Sequence, residues 1–460
     1  MHYMRPQEIY NLEPDSLPAH GVTALDHAQR AMRNTGCWTA GQQMGRRWPI
    51  GCVALEITQR CNLDCTLCYL SEHSESVKDI PLAEVFRRIE LIRRHYGANT
   101  DVQITGGDPT LRRRDELIAI VRRVREAGLR PTLMTNGRKA TRSLLQELAS
   151  AGLFAVAFHV DTTQNLKGYC NEAELNRLRV VYLDRVRGLP ISVMFNTTVH
   201  DGNFEDIPEL VRFFAAHAGR IRTASFQVQA ATGRGVRDKK RAITLDMVTA
   251  QICAGAEIEI NFRSSLVGHS QCNRYGLCLA VNGRLHDALD DPAFIARLQA
   301  ATARLVLDRV HPCRTVKDFV RWLGSHPRYL SAVLGWAANK AWQMKGDLLA
   351  ARGRVNTLSF LVHGFMDACA LDRERIDACV FKTMTADGPI SMCLHNAQRD
   401  TFILRPIEIH TPAGRRLWQP LSGALSDEPA TMLRPDSHQY GRKRAKGRAR
   451  QRLLGEILKS

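Results

Sequence analysis

Glu56-Ile57-Thr58-Gln59-Arg60-Cys61-Asn62-Leu63-Asp64-Cys65-Thr66-Leu67-Cys68-Tyr69 decides the reading of this chain. It sets a C-x3-C-x2-C run straight after the apolar, strand-like Val53-Ala54-Leu55-Glu56-Ile57. Three thiolates on one tight loop can hold three irons of a [4Fe–4S] cluster, which usually takes four protein ligands. Three leave one iron open, and an open position separates a catalytic metal site from a structural one. Structural zinc wants four ligands, usually as paired knuckles, and the chain has no second C-x2-C pair. Buried inert thiols are the other alternative, because free cysteine behaves as a small hydrophobe.

Downstream, strand and helix patterns alternate. Strands are read at Asp101–Thr105, Arg130–Thr135, Ala155–Val160, Ile191–Asn196 and Thr223–Val228. Between them, helical spacing runs over Leu82–His95, Asp115–Ala127, Thr141–Ala151, Ala173–Arg187 and Ile207–Ala218. Such alternation predicts parallel strands joined by right-handed crossovers. The expected fold is α/β, a partial (βα)6 barrel of the TIM type, with its chemistry in loops at the strands' carboxyl ends. The cysteine run, Gly106-Gly107-Asp108-Pro109, Thr135-Asn136-Gly137, His159, Asn196 and Gln227-Val228-Gln229 all fall at such ends. Divisions are expected at 1–50 (N-terminal segment), 51–242 (barrel), 243–430 (a mainly helical, cysteine-containing extension) and 431–460 (a basic tail).

The 460 residues are 44% hydrophobic and 24% charged, a globular composition with ample material for a core. The net charge of +18 points to an acidic partner: an anionic membrane surface, nucleic acid or a phosphorylated substrate. Thirteen cysteines, an odd number, without an apolar leader favour a reducing, cytoplasmic compartment. No apolar run reaches the roughly 20 residues of a membrane span. The longest, Tyr329 to Trp342, contains Asn339 and Lys340. The expectation is a soluble protein or one peripheral on the inner face of the membrane. Between Val316 and Leu361, aromatic and aliphatic residues mix with basic ones; this reads either as helix packing or as an amphipathic surface for anionic lipid.

The cysteine run together with Gly106-Gly107-Asp108-Pro109 resembles the radical SAM superfamily, whose open iron chelates S-adenosylmethionine. Asp108 stands where the family's loop usually has Glu. Leu67 stands where an aromatic residue is common, and Tyr69 follows instead. Two further stretches resemble the branch of archaeal tetraether lipid synthases and methanogen pterin-type radical SAM methyltransferases: Phe226-Gln227-Val228-Gln229 with Thr232-Gly233-Arg234, and Met366-Asp367-Ala368 through Cys393-Leu394-His395-Asn396.

The resemblance implies that Cys61, Cys65 and Cys68 hold the [4Fe–4S] cluster. Gly106, Gly107, Asp108 and Pro109 would take the methionine end of S-adenosylmethionine. Asn136, Asn196, Gln227, Gln229 and Arg234 would line the nucleoside or substrate side. It also implies an auxiliary [4Fe–4S] cluster on Cys272, Cys278, Cys379 and Cys393. Cys37 and Cys52 are further ligand candidates, while Cys170, Cys253, Cys313 and Cys369 read as ordinary thiols. The implied activity is reductive cleavage of S-adenosylmethionine to a 5′-deoxyadenosyl radical that activates a C–H bond, for C–C bond formation on a lipid alkyl chain. Methylation of a pterin-like small molecule is the alternative; RNA modification and a non-catalytic iron–sulfur redox role are further ones. The partners implied are a one-electron donor of the flavodoxin or ferredoxin type and a lipid or small-molecule substrate. An apolar tunnel would mark the lipid reading and a compact polar pocket the pterin one. No general acid or base is assigned.

Overall fold

The computed structural model describes residues 3–235, 241–309, 311–411 and 414–428, so the basic tail lies outside the described residues. Two N-terminal helices, α1 (Pro6–Tyr10) and α2 (Ala24–Asn34), precede the alternating unit. That unit runs β1 (Cys52–Thr58), α3 (Leu82–Tyr96), β2 (Asp101–Gly106), α4 (Arg114–Glu126), β3 (Arg130–Thr135), α5 (Arg142–Ser150), β4 (Ala155–His159), α6 (Glu172–Val186), β5 (Ser192–Val199), α7 (Ile207–Ala216) and β6 (Ile221–Val228). Adjacent strands from β1 to β6 pair in parallel. Every residue of β1 is buried, as expected where helices cover a parallel sheet. Val85, Ile89 and Ile92 of α3, and Ile120, Val121 and Val124 of α4, recur at helical spacing and are fully buried against it. On α6, Arg179 is equally buried and pairs with Glu172 at 2.5 Å, so neither charge is left uncompensated.

Beyond residue 242 the chain contributes α8 (Leu245–Ala256), β7 (Asn273–Val281), β8 (Arg284–Asp287), α9 (Pro292–Ala301), α10 (Pro312–Gly324), α11 (Pro327–Gln343) and α12 (Lys345–Ala350). It continues with β9 (Asn356–Gly364), α13 (Arg373–Asp377), β10 (Phe381–Met384), β11 (Pro389–Ser391), α14 (Met392–Ala397) and α15 (Arg399–Ile403). A separate antiparallel sheet follows, of β12 (Ile407–Thr411), β13 (Gly414–Trp418) and β14 (Leu425–Ser426). Helices are present as expected, and strands accompany them. β7 to β11 join the barrel sheet, which has 11 strands in the order β11-β10-β1-β2-β3-β4-β5-β6-β9-β7-β8. β9 pairs in parallel with β6, and β10 in parallel with β1, so late segments flank both ends of the early unit.

The late region is also bound to the early one by charge. Arg399 donates to Glu56 at 2.6 Å and to Gln59 at 2.9 Å, and all three are buried. Burial alone would raise the Glu56 carboxyl, but Arg399, His395 and the hydrogen bond from Gln59 outweigh it and hold it at about 2. A carboxyl lowered from 4.5 adds stability that is complete above 4.5 and is lost as the pH falls toward 2. Arg399→Met leaves a buried carboxylate without its counter-charge and is expected to cost about 3–5 kcal/mol at pH 7. Urea unfolding measures it. The double variant Glu56→Gln, Arg399→Met should recover much of the loss and unfold with a shallower acid dependence than the native chain.

Candidate functional site

The first strand ends in a loop that cannot relax outward. The N–H groups of Gly107 and Asp108 donate to the carbonyls of Thr58 and Arg60 at 3.0 and 2.8 Å, so the end of β2 grips the backbone entering the cysteine run. A Cβ on Gly107 would fall inside the van der Waals shell of the Arg60 carbonyl, which is why the contact takes glycine. From the other side, Arg234 donates its N–H to Leu70 at 2.8 Å. Gly233, at φ +62°, lies so close that a Cβ would strike the Cys68 carbonyl. The cysteine loop is thus held between the turn after β2 and the turn after β6.

The loop faces a cavity of about 220 Å³ at the carboxyl ends of the strands. Cys61, Cys65, Cys68, Gly106, Gly107, Asn136, Asn196, Gln227 and Gln229 all line it. Asp108, Pro109 and Arg234 do not. The Asp108 carboxylate is fully buried and accepts from Thr110 N–H at 3.0 Å, Thr135 Oγ1 at 2.9 Å and Asn136 N–H at 2.9 Å. It therefore fixes the glycine turn and the end of β3 from behind. Arg234 lies beside the thiols and pairs with Glu75 at 3.3 Å.

Burial pushes the Cys61 thiol up to about 11 and Cys65 well above the thiol range, with the neighbouring cysteines adding to the rise and Arg234 opposing it. Thiols of this kind give up protons when they bind metal. Among the described residues no three His, Cys, Asp or Glu side chains are arranged to hold one metal ion. That arrangement is not what a cubane requires, since its thiolates bind separate irons. Two cavity-lining acceptors, Asn196 Oδ1 and Gln164 Oε1, are buried without a hydrogen-bond partner among the described residues. Unpaired buried polar atoms are costly, so their presence here suits a polar ligand. The donors, the glycine turns and these acceptors fit a cluster and a ligand of the S-adenosylmethionine kind.

Residues 55–214 match the Radical SAM superfamily. They are a radical SAM domain. Such domains use a [4Fe–4S] cluster and S-adenosylmethionine. The chain is 27% identical over 187 residues to a 7,8-dihydro-6-hydroxymethylpterin dimethyltransferase of Methanocaldococcus jannaschii, covering 39% of this chain and 36% of that protein. It is 30% identical over 182 residues to a PqqA peptide cyclase of Bradyrhizobium diazoefficiens, covering 38% and 46%. It thus spans between about a third and a half of the length of these relatives. Among solved structures, Streptococcus suis SuiB bound to S-adenosylmethionine aligns at 18% identity and TM-score 0.34, over 43% of this chain and 46% of that one.

Residues that the sequence did not assign to the S-adenosylmethionine site also meet the cavity. Glu56 lines it, and its signal was a carboxylate inside an otherwise apolar strand. Tyr69 donates to the Gly106 carbonyl at 2.5 Å under the Arg399 guanidinium, 4.8 Å from the ring centre. His159 lines the cavity and bonds through Nε2 to Asp161 at 2.6 Å and Thr198 at 3.1 Å. Burial would lower this imidazole's pKa, but Asp161 outweighs it and the net shift is upward. Phe365, Met366, Met392, Cys393 and Asn396 reach the cavity from the segments after β9 and β11.

The cysteines of the expected auxiliary set separate into two places. Cys272, Cys379 and Cys393 are neighbours, and Cys37 adds to the electrostatic field at Cys272. After burial, this company raises Cys272 to about 11 and Cys393 to about 12. Arg375 donates to Cys272 Sγ at 3.2 Å, and the Met366 N–H to Cys393 Sγ at 3.5 Å. Cys278 differs from the expected set. It lies inside β7, opposite Asp287 of β8, with Asp287, Cys253 and Lys340 as its titratable neighbours. The C-x5-C spacing suggests a ligand pair, but six residues of extended strand span about 20 Å.

Gly107→Ala forces the loop off its clamp and is expected to cost about 1–3 kcal/mol locally. Iron per chain after anaerobic reconstitution should fall well below that of the native chain while far-ultraviolet circular dichroism stays the same.

Proposed function

We propose that this chain is an enzyme that cleaves S-adenosylmethionine reductively and activates a C–H bond of an apolar substrate, leading to C–C bond formation on an alkyl chain. The observation that carries this reading is the two-sided lining of the cavity. Strand-end amides and hydroxyls suit the cofactor. Leu63, Leu67, Phe365, Met366 and Met392 offer an apolar wall for the reacting carbon. When bound, the reduced cluster and S-adenosylmethionine supply a 5′-deoxyadenosyl radical for hydrogen abstraction.

The protein's own work is positioning and exclusion. Cys61, Cys65 and Cys68 would ligate the cluster. Gly106 and Gly107 would receive the methionine end, with Asp108 and Pro109 stiffening that turn. Asn136, Asn196, Gln227 and Gln229 would orient the nucleoside, and Arg234 would balance the thiolates' negative charge. His159, held through Nε2 by Asp161 and Thr198, would add a polar ring to the wall. The apolar side chains exclude water. A one-electron donor of the flavodoxin or ferredoxin type is the required partner.

An auxiliary cluster fits Cys272, Cys379 and Cys393, with Cys37 as the fourth thiolate in place of Cys278. Cys37→Ser and Cys272→Ser should each lower bound iron by about one cluster's worth, and Cys278→Ser should leave it unchanged, as read by iron and sulfide analysis and electron paramagnetic resonance.

Methylation of a compact pterin-like molecule is the second reading, favoured by the relative from M. jannaschii. The anaerobically reconstituted, reduced protein is expected to form 5′-deoxyadenosine, and Cys65→Ala to form none. Turnover that rises with a phospholipid fraction supports the alkyl reading; turnover that rises only with a reduced pterin replaces it. No product from a protein carrying its intact cluster would sink both.

A further inference from the structure

The helix pair α10–α11 is bound to the body along one side only. α11 sends Val333 and Trp336 into a small core with Leu289, Phe294 and Ile295, and buries Lys340 against Asp290. Trp322 of α10 meets Tyr329 of α11 with ring centres 5.1 Å apart. Those contacts account for one stripe of each helix.

Among the described residues, a second stripe has nothing against it. On α11, Leu330, Leu334, Ala337 and Ala341 recur at i, i+4, i+7 and i+11, a face of its own beside the inward Val333-Trp336-Lys340 row. All four are exposed, Leu334 by 60%. On α10, Val316 and Val320 are one turn apart and 62% and 61% exposed, and Trp342 at the end of α11 is 70% exposed. A surface helix normally turns polar and charged residues to water. Between Tyr329 and Asn339 this one has no charged residue.

The exposed charges stand at the margins instead and are mostly basic; Asp318, paired with Arg321 at 2.9 Å, is the one acidic residue, and Lys340 is turned inward. Residues 312–345 hold six basic residues and one acidic. Lys317, Arg321 and Arg328 flank one end, and Lys345 sits over the Trp342 ring at 3.8 Å at the other. An apolar stripe between basic ends, with a tryptophan at its border, has the composition of a helix lying in a bilayer interface. No helix among the described residues is long and apolar enough to cross a membrane, so the contact would be a lateral one. A second copy of the chain would bring positive margin against positive margin.

We propose that the α10–α11 face docks on an anionic bilayer surface. The apolar stripe enters the acyl boundary and the basic margins meet lipid phosphates. The proposal does not depend on which substrate the radical site takes, and its test needs no turnover.

The full-length protein is sedimented with vesicles of phosphatidylcholine alone or with added phosphatidylglycerol. Binding is expected to the anionic vesicles only, to weaken with salt, and to fall about tenfold or more in Leu330→Glu, Leu334→Glu and in Lys317→Glu, Arg321→Glu. Circular dichroism checks that both double variants fold. As a second readout, anionic vesicles should shift the native tryptophan emission to the blue, and Trp342→Phe should remove most of that shift. No binding to anionic vesicles, or equal binding by the folded variants, would overturn the proposal. So would self-association that Leu334→Glu relieves, which would assign the face to a second copy.

Discussion

Two backbone hydrogen bonds govern the site. The turn after β2 donates to the carbonyls of Thr58 and Arg60, and so sets where the next eight residues, with all three cysteines, can go. Backbone groups keep their geometry where long side chains would not, and the approach is closer than any residue but glycine allows at 107. The buried Asp108 carboxylate locks the same turn to β3. The position of the thiols relative to the cavity is therefore a property of the sheet, inherited from the register of β1 against β2 against β3.

The barrel was legible because its signals are local. The strands of the early unit are short apolar or alternating runs, the helices carry a 3.6-residue stripe, and the polar residues that end the strands fall on one edge by the geometry of parallel sheets. The cysteine run was legible for the same reason. Its neighbours were less so. Glu56 and Arg399 lie 343 residues apart in sequence, and no local pattern links a buried arginine in a late helix to a carboxylate in the first strand. β9 and β10 follow long excursions, so their pairing with β6 and β1 left no periodic trace.

The cysteines illustrate the same limit. Cys272 and Cys278 look like partners in the sequence, but an intervening strand separates them, whereas Cys37 approaches Cys272 from the other end of the chain. Spacing brings thiols together reliably within a tight loop, as at Cys61, Cys65 and Cys68, which line one cavity, and poorly across an extended segment, because there the chain's own rise sets the distance. The helical segment after residue 312 is a different case. Its composition was evident, but which of its stripes faces the body depends on the small core around Phe294 and Trp336, and that is a tertiary fact.

The sheet order has a consequence for how the chain is made. Residues 52–228 can form β1 to β6 as soon as they leave the ribosome, but the strands that cover both outer edges come much later, β9 on one side and β10 on the other. During that interval the edges of β1 and β6 are unpaired, and open edges of apolar parallel sheet invite pairing with other chains. β1 is also the strand that leads into the cysteine loop. A nascent chain holding that edge open is the form most in need of a holding chaperone, and the arrival of β10 closes it.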